Sequence, residues 1–120
     1  MIAQTRLGRV VNTFVGRDVI DATSRAGQYR FIVDFIGARL DQLNTDAPLA
    51  ASISSHAGTT ILEHQLERVD VTGFWRLSIL ARATTDKPLA LRSSLHINGR
   101  PLTEVWSYEL EANNALRRNE

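Results

Sequence analysis

The chain has 120 residues, 43% hydrophobic and 22% charged, an ordinary globular composition, long enough for one core and unlike that of a disordered or membrane-embedded protein. Fourteen Lys and Arg against thirteen Asp and Glu leave a net charge of +1, and the arginines are scattered at sites such as Arg9, Arg30, Arg68 and Arg92. This excludes the strong positive field that draws nucleic acid or anionic lipid to a surface. Cysteine is absent, which removes disulfides, thiolate nucleophiles and thiolate metal sites.

In chain order, residues 1–6 lack the basic start and apolar run of a secretory signal, and no later stretch is long and apolar enough to span a bilayer. Residues 9–15 predict a first strand, and residues 16–27, rich in Asp, Ser, Gly and Arg, a loop. In the next strand Tyr29, Phe31, Val33 and Phe35 alternate with Arg30 and Asp34, the period of a half-buried strand. Ile32 and Ile36 share the polar side of that strand. Leu40-Asp41-Gln42-Leu43, followed by Asn44, Asp46 and Pro48, predicts a turn or single helical turn crossing between sheets. Leu49, Ala51 and Ile53 alternate again, His56-Ala57-Gly58 reads as a turn, and residues 61–69 as a polar edge strand. After a turn at residues 70–73, Trp75, Leu77, Ile79 and Ala81 form another apolar face, closed by Thr84-Thr85-Asp86-Lys87-Pro88.

Asn98-Gly99 is the sharpest local signal, because a two-residue hairpin turn with positive φ at both positions suits this pair best. Pairing Ile97 with Arg100 places Leu95 opposite Leu102, Leu91 opposite Trp106 and Leu89 opposite Tyr108, so large apolar groups meet on one face. Trp106 and Tyr108 are therefore predicted core residues, and residues 111–120 a polar tail, frayed or loosely helical. About seven antiparallel strands at this spacing, without a disulfide, predict an all-β, immunoglobulin-like sandwich forming a single domain over residues 1–110.

Residues that carry chemistry are sparse. His56, His64 and His96 lack the short spacing of a metal-ligand pair, and no catalytic, cofactor or metal site is predicted. Glu63, Glu67 and Asp70 read as charges that keep an edge strand from pairing with other chains. Glu104 falls on the face of Leu102 and Trp106, where a charge needs a nearby arginine or the rim of the sandwich. Alternation sends Phe74 and Trp75 to opposite sides of one strand, so one of them leaves the core. Phe74, Trp75, Arg76 and Arg68 are accordingly the candidates for a domain interface or a glycan contact.

Four segments, Val10-Val11-Asn12-Thr13-Phe14-Val15-Gly16-Arg17, Tyr29-Arg30-Phe31-Ile32-Val33-Asp34-Phe35-Ile36-Gly37, Val71-Thr72-Gly73-Phe74-Trp75-Arg76-Leu77 and the run from Asn98 to Tyr108, together resemble the periplasmic glucans biosynthesis proteins G and D. The resemblance spans residues 7–110 and is to the C-terminal domain of those proteins. It implies a periplasmic two-domain parent acting on osmoregulated β-1,2/β-1,6-glucan, with the glucan cleft and any acidic catalytic residues in a large N-terminal β-sandwich. On that basis this chain is expected to be a non-catalytic accessory domain, excised from its parent, whose partner is that N-terminal domain. The alternative is a carbohydrate-binding module that holds β-glucan through exposed aromatics; nucleic acid and a membrane span are not expected.

Overall fold

The computed structural model describes residues 7–17, 27–44, 46–56, 58–83 and 88–110. Of the loop expected over residues 16–27, residues 18–26 lie outside the described residues, while Gly16 and Arg17 continue β1 and Gly27 opens β2; Thr45, Ala57, residues 84–87 and both ends of the chain also lie outside them. Alternating apolar residues form strands β1 (Arg9–Arg17), β2 (Gly27–Ile36), β3 (Leu49–Ser55), β4 (Thr59–Val69), β5 (Phe74–Ala83) and β6 (Leu89–Ile97). Two shorter segments, β7 (Arg100–Pro101) and β8 (Trp106–Leu110), follow the Asn98-Gly99 turn, and one helical turn, α1 (Ala38–Asp41), separates β2 from β3.

All the strand pairs are antiparallel, in one sheet of order β1-β2-β5-β4 and another in which β6 is flanked by β3 on one side and by β7 and β8 on the other. With β7 and β8 as two halves of one seventh strand, this is the A-B-E-D and C-F-G arrangement of a constant-type immunoglobulin sandwich. The polar strand of residues 61–69 is β4, and it lies at a sheet edge as its composition predicts. Phe31, Val33 and Phe35 from β2, Trp75, Leu77 and Ile79 from β5, and Leu89, Leu91 and Leu95 from β6 make the buried core between the sheets. Removing each such side chain from water stabilises the fold by about 1.5–3 kcal/mol. Leu40 is fully buried, which fixes α1 as the crossing that carries the chain from one sheet to the other.

The hairpin forms with Asn98 at φ 50° and Gly99 at φ 82°, and Ile97 pairs with Arg100 as expected. Beyond Leu102 the expected register fails. Leu91 stands opposite Tyr108, Leu89 opposite Leu110, and Trp106 opposite Ser93, a displacement of two residues from the simple ladder. The cause is an excursion to β1. Leu102 turns its carbonyl to accept from the Gly8 amide at 2.7 Å, and the Glu104 amide donates to the Gly8 carbonyl at 2.8 Å. The Leu95 amide, deprived of its ladder partner, donates instead to Thr103 Oγ1 at 3.0 Å. Because a shift of two keeps every side chain on its own face, Trp106 remains buried, while Tyr108 is half-buried against the core.

This tie between the sheets leaves no room for a side chain at two glycines. A Cβ on Gly37 would lie 2.5 Å from Gly8 Cα, and one on Gly8 would lie 2.7 Å from the Ile36 carbonyl oxygen. Glu104 settles at the rim, exposed, where its carboxylate accepts from the Val10 amide at 3.1 Å. Of the two expected answers, an arginine or the rim, the structure takes the rim, with a backbone amide as donor.

Candidate functional site

Arg68, Phe74, Trp75 and Arg76 flank the β4–β5 turn, and cross-strand pairing divides them. Arg68 lies opposite Trp75, Glu67 opposite Arg76 and Val69 opposite Phe74. Arg68 and Trp75 face the inside of the sandwich; Phe74 and Arg76 face out.

The inward pair holds the crossing helix in place. Trp75 is 3% exposed, and its indole Nε1 donates to the Leu40 carbonyl at 3.2 Å. Arg68 Nη1 donates to the Leu43 carbonyl at 2.6 Å. The Leu40 carbonyl, which also accepts from the Leu43 amide at 3.1 Å, lies in the helical turn and the Leu43 carbonyl just beyond it, where backbone acceptors need donors from outside the turn. Trp75 therefore presents almost no ring surface to a ligand, and the Arg68 guanidinium is engaged with the domain's own backbone.

Of the outward pair, Arg76 sits in a polar row that crosses all four strands of the β1-β2-β5-β4 sheet, and Phe74 lies beside it. Asn12 is opposite Asp34, Asp34 opposite Arg76, and Arg76 opposite Glu67. Arg76 grips Asp34 with two parallel bonds, Nε to Oδ1 at 2.8 Å and Nη2 to Oδ2 at 3.1 Å, the fork geometry that makes arginine–carboxylate pairs strong. Asn12 Nδ2 approaches Asp34 Oδ2 at 3.4 Å. The hydrogen bond to Asp34 raises the Arg76 pKa above its ordinary value; burial opposes this, and the negative charges of Asp34 and Glu67 reinforce it. Asp34 has 1% of its side chain exposed although it points away from the core. Around this row lie Phe14, 57% exposed, and the half-buried Ile32, Ile36 and Phe74.

Asp34, Phe14 and Ile32 were absent from the sequence-derived candidates. Ile32 and Ile36 on the polar side of β2 were the available signal, since a strand facing only water has no use for them there. Of the other charged residues, Glu63 pairs with Arg30 at 3.5 Å, both exposed to solvent, and His56 and His64 are exposed. His96 is half-buried on the outer side of β6, with Nδ1 buried and without a partner. Among the described residues no three His, Asp or Glu side chains converge on one point. A cleft of about 580 Å³ opens between α1 and the β6–β7 turn, with Arg39 and Arg100 exposed beside it and Leu43, Ile97 and Leu102 in its wall. Among its described lining residues there is no carboxylate, so the paired acids that glycoside hydrolysis needs are not gathered there.

The family model described as periplasmic glucan biosynthesis protein, MdoG, matches residues 1–110. The chain belongs to this family. It is 32% identical over 108 residues to the probable glucans biosynthesis protein D of Shewanella oneidensis, a match covering 88% of this chain and 20% of that protein. It is 39% identical over 89 residues to the glucans biosynthesis protein G of Pectobacterium atrosepticum, covering 72% of this chain and 17% of the relative. The G protein of Dickeya dadantii is 37% identical over the same length, again with 17% of the relative covered. The chain thus spans about a fifth of the length of these family members. No helix among the described residues is long and apolar enough to cross a membrane.

Proposed function

We propose that this chain is a non-catalytic accessory domain of a periplasmic protein of osmoregulated glucan biosynthesis, and that it packs against the domain of that protein which handles β-glucan. The observation that carries this reading is the use the fold makes of its reactive side chains. Trp75, Arg68 and Arg76 direct their polar groups to Leu40, Leu43 and Asp34; these are scaffold roles, and they leave a sandwich equipped to support a neighbour. The short share of each relative that the chain covers supports the same reading. Carbohydrate binding is the second reading, favoured by the ring of Phe14 lying 57% exposed on the same sheet as Phe74.

Two assays on the purified chain separate these functions. Incubation with linear β-1,2-glucan and with β-1,6-linked glucan is expected to release no reducing sugar. Release that disappears in Glu63→Gln or Glu67→Gln would make the chain an enzyme. Calorimetric titration with the same glucans is expected to show affinity no tighter than about millimolar. Micromolar binding lost in Phe14→Ala or Phe74→Ala would make it a carbohydrate-binding module.

A further inference from the structure

The two outer faces of the sandwich differ in kind. On the β3-β6-β8 sheet, the residues pointing outward include Ser52, Ser54, Ser94 and Ser107, small hydroxyl side chains that water covers at no cost. On the opposite sheet Phe14 pairs with Ile32, and Phe74 and Ile36 extend the apolar surface toward one end. Apolar side chains are thus concentrated on one face, on both sides of its polar row, while the serine-rich face exposes Val105, and such a concentration marks an interaction surface.

We propose that the outer face of the β1-β2-β5-β4 sheet is the surface on which this domain docks to the remainder of a full-length family protein. This rests on the accessory-domain reading above. The occupant follows from three observations. First, some four-fifths of each relative lies outside the match, so in those proteins a large polypeptide is tethered to this domain at high effective concentration. Second, the face has the right size. Four strands about 4.8 Å apart and some nine residues long at about 3.3 Å each give roughly 570 Å² per partner, about 1,100 Å² in all, within the range of domain interfaces inside one chain and well below that of obligate homodimers. Third, its centre is polar. The Asn12–Asp34–Arg76–Glu67 row runs through the middle, whereas the interfaces of obligate homodimers are more hydrophobic. Interfaces between domains of one chain are the more polar kind.

The test places this chain in the glucans biosynthesis protein G of Pectobacterium atrosepticum in exchange for its matched segment. Hydroxyl-radical footprinting then compares the exchanged protein with the chain alone. Phe14 should lose at least about five-fold of its labelling as it passes from 57% exposed into a fully buried patch. Phe74 should be protected with it, while Val105, also 57% exposed and beside Ser52 and Ser94 on the other face, keeps its labelling. Phe14→Glu, which the exposed position tolerates in the free chain, should return Phe74 labelling in the exchanged protein to the free-chain level. Protection of Val105 with Phe14 still labelled would overturn the assignment of the face and leave the accessory reading standing. No protection on either face would overturn both. Concentration-dependent protection of Phe14 in the chain alone, with a dimer mass, would assign the face to a second copy. Protection by added β-1,2-glucan would assign it to carbohydrate. Either result overturns the proposal.

Discussion

Trp106 joins the two sheets through both packing and a hydrogen bond, so its removal should weaken the fold far more than its position near the end of the described chain suggests. The ring is 6% exposed, meets Phe31 edge-on at 5.9 Å and stacks on Tyr108 at 6.1 Å. Its Nε1 donates to Thr13 Oγ1 at 3.1 Å, linking β8 in one sheet to β1 in the other. Trp106→Ala removes this packing and leaves a cavity, a change that costs about 3–5 kcal/mol. A domain of this size has about 5–15 kcal/mol in total. With roughly 4–8 °C of Tm per kcal/mol for a domain near 100 residues, the variant should melt at least about 12 °C below the parent chain. Trp106→Phe keeps most of the ring and loses the bond to Thr13, and should cost a smaller amount. Thermal unfolding followed by far-ultraviolet circular dichroism measures both variants against the parent. A Trp106→Ala chain melting within a degree or two of the parent would refute the placement of this residue between the sheets, and with it the two-residue displacement of β8.

Three further outcomes follow from local geometry. Ser93, opposite Trp106, has a buried hydroxyl without a hydrogen-bond partner, so Ser93→Ala should be neutral or stabilising by up to about 1 kcal/mol in urea unfolding; a clear loss would show that the hydroxyl is engaged. Gly37→Ala and Gly8→Ala force a Cβ into backbone at 2.5 and 2.7 Å and should each cost about 1–3 kcal/mol or more, whereas Gly16→Ala meets nothing within 4 Å and should be neutral or better. Equal Tm for all three would contradict the close approach of Gly8 to Gly37. Arg76→Ala strands the buried Asp34 carboxylate and should cost about 3 kcal/mol, the low end for a broken buried pair because Arg76 is one-third exposed. Asp34→Ala leaves an arginine that can turn to water and should cost less; equal costs in urea unfolding would argue against the asymmetric burial of the pair.

Period-two alternation made the strands visible one by one, and Asn98-Gly99 set the start of the last hairpin. Other features had no sequence signature. Strand order depends on which faces meet, and Phe31, Leu77 and Leu91 carry no label for sheet. The displacement of β8 was hidden because a shift of two residues preserves the pattern that a shift of one destroys; the backbone of Gly8, which takes the Leu102 carbonyl, brings it about, and the Thr103 hydroxyl stands in for the lost ladder carbonyl. Arg68 has the composition of a solvent-facing residue, yet its long stem lets it lie on the inner side of an edge strand and carry its charge to the Leu43 carbonyl. Phe74 and Trp75 were correctly sent to opposite faces by alternation, but which one goes inside is decided by Leu40, whose carbonyl receives the indole.

Asp34 shows how one residue can serve both the fold and the outer surface. Moving β2 by a single residue relative to β5 would carry Asp34 to the core side, away from Arg76, at a desolvation cost of several kcal/mol. The purely apolar residues Ile32 and Ile36 would resist such a slip far less, since they are at home on either side of a sheet. A face built for contact by apolar side chains alone would therefore specify its register weakly and would invite association while free. Setting the bidentate Asp34–Arg76 pair at the centre of that face, with Asn12 and Glu67 extending it to both edge strands, fixes the register of the whole sheet. The apolar contact surface is then left to the residues around it, Phe14 and Phe74 foremost.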